Sequence, residues 1–80
     1  MEQKKFLIGL GEEIARLRKK KNLTQLDLSV EVGVDKQSIT RIEKGHTNPT
    51  SLTLLKISEA LDVPVSKLFG FQKKVTTKRN

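Results

Sequence analysis

The apolar residues of the first segment recur every three or four positions, which is the spacing of an amphipathic helix. Acidic residues come early in this segment and basic residues late, as the helix dipole favours. Gly9 and Gly11 each weaken a helix interior by up to about 1 kcal/mol, so we expect a firm helix only from about Leu10 to Asn22. Residues 1–9 are then either an N-terminal extension or the first turns of this helix. The apolar positions are Phe6, Leu7, Leu10, Ile14 and Leu17.

Two shorter helices follow, and a glycine separates them. Thr24 and Asp27 have the spacing of a capping box at the start of the second helix, and Gly33 is expected to end it. Asp35 is the expected N-cap of the third helix, and Gly45 is its expected stop. The apolar positions are Leu23, Leu26, Leu28 and Val32 in the second helix, and Ile39 and Ile42 in the third.

A fourth helix is predicted from about residue 50 to residue 61, and a short fifth helix follows Pro64 and ends at Gly70. No segment shows the alternating pattern of a strand. The sequence therefore predicts an all-α domain, a compact five-helix bundle over residues 10–71, followed by a flexible basic tail over residues 72–80. The residues of the fourth helix that we expect in the core are Leu52, Leu54, Leu55, Ile57 and Leu61.

The second and third helices, joined by a short turn that contains glycine, have the layout of a helix-turn-helix unit. Gly33 lies where such a turn needs a positive φ, and Ser29 is small enough for the third helix to approach closely. An ordinary helical hairpin would accept larger residues at both positions. With Ile39 and Ile42 facing inward, the opposite face carries side chains of the types that hydrogen-bond guanine, adenine or phosphate, although a solvated face could carry them too. These outward residues are Lys36, Gln37, Thr40, Arg41 and Lys44.

Composition narrows the classes of function. The 80 residues contain no cysteine, tryptophan or tyrosine and one histidine, which leaves few groups for metal binding or acid–base catalysis. We therefore expect no enzyme, no metal and no cofactor. A lone histidine, His46, is expected to face solvent or phosphate rather than a metal. No segment approaches the roughly 20 apolar residues of a membrane span or has the form of a signal peptide, so we expect a cytoplasmic protein.

The net charge of +7 lies mainly at the two ends of the chain. Residues 1–21 contain seven basic and three acidic residues, and residues 72–80 contain four basic residues and no acidic one. The stretch 22–71, with five basic and six acidic residues, is nearly neutral. Such a balance favours a polyanionic partner, with nucleic acid ahead of an anionic membrane surface. Because the excess charge lies outside the helix-turn-helix, it is expected to add affinity rather than to select a site.

Four runs of residues resemble the XRE family of lambda-repressor-like helix-turn-helix regulators, which includes phage repressors and Cro proteins. The resemblance covers about residues 10–70. It implies a five-helix fold whose third helix enters the major groove of double-stranded DNA. The four runs are LTQLDLS at 23–29, VGV at 32–34, ITRIEKG at 39–45 and PTSL at 49–52.

The resemblance also implies roles for individual residues. Arg18 and Glu43 would form a structural ion pair between the first and third helices, an interpretation that we prefer to a DNA contact. Phe71 would be exposed or lie in an interface. The implied base contacts are Lys36, Gln37 and Arg41, and the implied backbone contacts are Thr24, Gln25, Thr40, Lys44 and Asn48. The residues implied at a dimer contact are Val65, Leu68, Phe69 and Phe71.

The leading hypothesis is a sequence-specific transcriptional regulator, a homodimeric repressor that occupies an inverted-repeat operator in DNA. One alternative is an antitoxin-like or other protein-interaction module that binds DNA secondarily, with the apolar segment at residues 6–8 as its extra surface. Another is non-specific adhesion to nucleic acid or membrane through the basic ends. Adhesion of that kind predicts an affinity that collapses with salt and shows no preference between sequences.

Overall fold

The computed structural model describes residues 2–72 and shows four α-helices and one 3₁₀ helix, with no strand among those residues. The α-helices are α1 (Gln3–Lys20), α2 (Gln25–Val32), α3 (Lys36–Glu43) and α4 (Ser51–Ala60), and the 3₁₀ helix spans Val65–Phe69. The predicted all-α fold is confirmed, and its fifth element is a 3₁₀ turn rather than an α-helix. The part of the predicted basic tail beyond Gln72 lies outside the described residues. None of the described helices has the length and apolar character needed to cross a membrane.

Helix α1 begins at Gln3, well before the start near Leu10 that its glycines favoured. Residues 3–9 are therefore the first turns of this helix. Gly9 lies against the ring of Phe71, and Gly11 lies against the backbone at the end of α3. These packing contacts offset the low helix propensity of glycine. The helix ends as predicted, because Asn22 adopts the left-handed conformation with φ 61°.

Side-chain caps hold the starts of α2, α3 and α4, and the sequence predicts those of α2 and α3. The Thr24 hydroxyl accepts from the backbone N–H of Asp27, and the Asp27 carboxylate accepts from the backbone N–H of Thr24, which completes the capping box. Asp35 accepts from the N–H of Ser38 at the start of α3, and hydrogen bonding to Ser38 holds the pKa of this carboxyl below its ordinary value. Thr50 caps α4 in the same way. Local sequence alone therefore sets where these helices start.

The core contains fewer of the apolar residues of α2 and α4 than predicted. Leu52 is 58% exposed and Leu55 42%, so both predictions of burial were wrong, and Leu26 of α2 is likewise 56% exposed. Short helices bury a narrow stripe, and here part of that stripe is polar: Ser29 of α2 and Ser58 of α4 are both buried. The buried apolar core comprises Leu10, Ile14, Leu17, Leu28, Val32, Ile39, Ile42, Leu54, Ile57, Leu61 and Leu68.

The C-terminal aromatic residues pack against the start of α1. The ring centroid of Phe6 lies 5.9 Å from that of Phe69 and 5.5 Å from that of Phe71. Phe71 is therefore half-buried within the chain, and part of its surface stays open for the interface that the resemblance implies. Leu68, another residue expected at a dimer contact, is fully buried in the core and cannot reach a second copy while the fold is intact. Val65 and Phe69 keep part of their surface exposed.

Candidate nucleic-acid interface

The turn between α2 and α3 fixes the angle at which the two helices meet. The N–H groups of Gly33 and Val34 both donate to the carbonyl oxygen of Ser29, at 2.8 and 3.0 Å, and Gly33 has φ 86°. A Cβ atom on Gly33 would meet nothing within 4 Å, so the backbone conformation, not crowding, is what calls for glycine here. Ser29 is buried and turns its hydroxyl back to the carbonyl of Leu26 at 2.7 Å. The turn thus has the helix-turn-helix geometry that the sequence predicts.

Helix α3 presents a polar face to solvent because its two isoleucines hold the opposite face in the core. Ile39 and Ile42 are buried. Of the five residues predicted on the outer face, Thr40 is half-buried and the other four are exposed. The three base-contact candidates lie within this exposed set. The fourth exposed residue, Lys44, is the C-cap of α3. The four exposed residues are Lys36, Gln37, Arg41 and Lys44.

The electrostatics of this face differ from the near-neutral balance of the surrounding sequence. Residues 36–44 contain three basic residues and one acidic residue, Glu43. The Glu43 carboxylate is turned inward and paired with Arg18, whose Nε donates to Oε2 at 2.6 Å and whose Nη2 donates to Oε1 at 3.0 Å. The outer face of α3 is left with positive charge alone. That charge distribution suits the polyanionic backbone of DNA.

The ion pair belongs to a larger network that sequence reasoning did not find. Gln25 donates from Nε2 to Glu43 Oε1 at 2.9 Å, and its Oε1 accepts from the hydroxyl of Thr40 at 2.8 Å. Arg18 also donates from Nη1 to the carbonyl oxygen of Leu23 at 2.8 Å, and hydrogen bonding to Glu43 raises its pKa above the ordinary value. The network joins α1, α2 and α3. Two residues predicted to contact the DNA backbone, Gln25 and Thr40, are therefore already engaged within the protein.

Of the remaining backbone-contact candidates, Thr24 caps α2 and Asn48 lies next to α3. Thr24 and Asn48 are exposed. An open groove of about 300 Å³ separates α3 from the loop that leads into α4. Arg41 and Asn48 share the lining of this groove, so the structure brings a base-contact candidate next to a backbone-contact candidate. Sequence reasoning missed the other polar residues there, Ser38, Thr47, Thr50 and Thr53.

Part of the apolar segment at residues 6–8 packs inside the domain. Phe6 stacks on Phe69 and packs at a tilt against Phe71. The backbone of Ile8 lies close to Gly45. A Cβ atom on Gly45 would lie 2.8 Å from the Ile8 Cα atom. Gly45 has φ 75°, which glycine also tolerates best. Ile8 nevertheless stays 36% exposed and Leu7 is half-buried, so part of the segment is still open at the surface.

Comparison with known proteins places this geometry among helix-turn-helix regulators. The helix-turn-helix family HTH_3 matches residues 14–68. An uncharacterized HTH-type transcriptional regulator of Sinorhizobium fredii is 39% identical over 54 residues, which are 68% of this chain and 70% of that protein. The phage CTXphi transcriptional repressor RstR of Vibrio cholerae is 36% identical over 61 residues, 76% of this chain and 54% of the repressor. The chain thus spans about half the length of that repressor.

Solved structures give the same result. The restriction-modification controller protein C.AhdI of Aeromonas hydrophila has a TM-score of 0.78 and 32% sequence identity. The match covers 79% of this chain and 96% of the controller protein. An HTH_3 family transcriptional regulator of Vibrio cholerae has a TM-score of 0.80 and 29% identity, over 86% of this chain and 39% of that structure. The helical arrangement around the turn is therefore shared with proteins that regulate transcription or restriction–modification.

Proposed function

The chain belongs to the HTH_3 helix-turn-helix family of DNA-binding transcriptional regulators, and from that premise we propose that it is a homodimeric repressor that occupies an inverted-repeat operator. The observation that carries the proposal is the outer face of α3, on which Lys36, Gln37 and Arg41 are exposed while the acidic residue beside them is paired inside. The role is one of binding and not of catalysis. A cytoplasmic location is part of the proposal.

Three candidate base contacts on one short helix discriminate weakly, because each good contact is worth about 1–3 kcal/mol. A twofold dimer doubles the readout and implies half-sites about one helical turn, roughly 34 Å, apart. Val65, Phe69 and Phe71 have surface available for a dimer contact at the C-terminal end of the domain. Leu68 holds the core behind them instead.

Selection of bound duplexes from a random DNA pool at physiological salt tests the proposal directly. We expect enrichment of a palindromic site, because a twofold dimer reads the same bases twice. Sedimentation of the protein with and without that duplex reports whether two copies bind together. If no motif is enriched, and binding disappears when residues 72–80 are removed, the repressor proposal is overturned in favour of non-specific adhesion.

Arg41→Ala and Lys44→Ala form a matched pair that separates base contacts from backbone contacts. Both residues are exposed basic side chains at the end of α3. Arg41→Ala is expected to relax the preference at one base position and to cost about 1–3 kcal/mol of binding free energy. Lys44→Ala is expected to weaken all duplexes alike and to reduce the salt dependence by about one phosphate contact. Identical behaviour of the two variants in a binding titration over several salt concentrations would refute this division.

A further inference from the structure

The side-chain amide of Gln25 is held at two of its three hydrogen-bonding groups. A glutamine side chain has one carbonyl oxygen and two N–H groups. The oxygen accepts from Thr40, and one N–H donates to Glu43. Among the described residues the second N–H has no partner. Gln25 is the first residue of α2, it is half-exposed, and it contacts Thr40 on the outer side of α3.

The orientation of this amide is set by the network behind it. A carboxylate can only accept hydrogen bonds, so Glu43, already paired with Arg18, requires a donor and fixes Nε2 on its side. The amide oxygen then faces Thr40 and requires the hydroxyl proton of that residue. Thr40 has one such proton, and its second acceptor at 3.1 Å, the carbonyl of Lys36, also lies inside the protein. The Thr40 hydroxyl therefore has no proton to offer to a phosphate oxygen.

We propose that Thr40 is a positioning residue and not a phosphate contact: it fixes the Gln25 amide so that the remaining N–H of Gln25 meets the DNA backbone. Arg18 and Glu43 hold the other end of the amide. A donor fixed in this way loses little side-chain entropy when it binds, which raises affinity without adding a contact. The inference rests on the proposed DNA binding and assigns Thr40 a role different from the one that the resemblance implies.

A double-mutant cycle in DNA binding tests the assignment. Thr40→Val keeps the shape of the side chain and removes the hydroxyl, and Gln25→Ala removes the amide. We expect Thr40→Val to weaken binding to the selected duplex about fivefold to tenfold in the wild-type protein, and to change it less than twofold in the Gln25→Ala protein. Thr40→Ser, which restores the hydroxyl, is expected to restore binding to within about twofold of the wild-type affinity. The salt dependence is expected to stay unchanged, since no charge is altered.

The other outcomes separate the competing explanations. An equal loss from Thr40→Val in both backgrounds means that Thr40 contacts DNA itself and overturns the assignment, as does no loss in either. If the wild-type protein binds no duplex selectively, the proposed function is wrong. That result is distinct from an equal loss in both backgrounds, which overturns only the assignment of Thr40. A variant that does not fold is recognised by circular dichroism.

NMR of the wild-type chain gives a test that needs no variant. The two side-chain N–H protons of Gln25 are followed during addition of the duplex. We expect one resonance to shift and the proton bonded to Glu43 to stay in place. Shifts of equal size at both protons, or at neither, contradict the assignment.

Discussion

Replacing Glu43 with alanine is expected to lower the free energy of unfolding by about 3–5 kcal/mol. The Glu43 side chain is 6% exposed and accepts two hydrogen bonds from Arg18 and one from Gln25. Its removal leaves the guanidinium of Arg18, itself 10% exposed, without a counter-charge inside the protein. For a domain of this size such a loss is a large part of the total stability. Urea unfolding followed by far-UV circular dichroism measures it, since the chain has no tryptophan or tyrosine to report by fluorescence.

The chain offers a matched control in a second ion pair with the same residue types. Glu13 and Arg16 meet at 2.6 Å, as Glu43 and Arg18 do, but the Arg16 side chain is 54% exposed. Glu13 itself is 11% exposed, but Glu13→Ala is expected to change stability less, because the guanidinium that it leaves behind is in contact with solvent. The double variant Arg18→Met, Glu43→Leu is expected to recover most of the loss, since it removes both buried charges. A Glu43→Ala protein as stable as the Glu13→Ala protein would contradict the burial argument.

The starts of α2 and α3 could be predicted from the sequence because their causes are local, whereas the start of α1 could not. A threonine or aspartate cap needs only a partner three residues away, as at Thr24 and Asp35. Which apolar residues are buried could not be predicted as well. Periodicity identifies an apolar stripe, but the neighbouring helix decides which part of it is covered. Leu26 and Leu52 are exposed for this reason, while the buried Ser58 faces inward.

The candidate site also has a part that local sequence predicts and a part that depends on contacts between helices. The exposed face of α3 follows from the positions of Ile39 and Ile42, which lie on the same short helix. The hydrogen bonds of Gln25 join residues 15 and 18 positions apart on different helices. No local pattern reports such a contact, so Gln25 was assigned to DNA from the resemblance, and Thr40 from the resemblance together with its place on the outer face of α3. These long-range hydrogen bonds are the reason why we propose a different role for Thr40.

The glycines of α1 show most clearly how packing overrides a local preference. The sequence suggests that Gly9 and Gly11 weaken the helix. In the structure they let α1 come close to other parts of the chain. A Cβ atom on Gly11 would lie 2.5 Å from the carbonyl oxygen of Glu43 and 2.7 Å from its carbonyl carbon, far inside van der Waals contact. Helix propensity and packing therefore make opposite predictions for an alanine at this position.

Gly11→Ala is expected to lower the free energy of unfolding by about 1–3 kcal/mol, because the end of α3 must move to admit the methyl group. If helix propensity decided the outcome, the same change would raise stability by up to about 1 kcal/mol. Gly9→Ala is the matched control: its Cβ would meet the edge of the Phe71 ring, a side chain that can turn aside, so a smaller effect is expected. Urea unfolding of the wild type and the two variants gives the sign of each change in the free energy of unfolding. A Gly11→Ala protein more stable than the wild type would mean that the backbones of α1 and α3 are not in close contact.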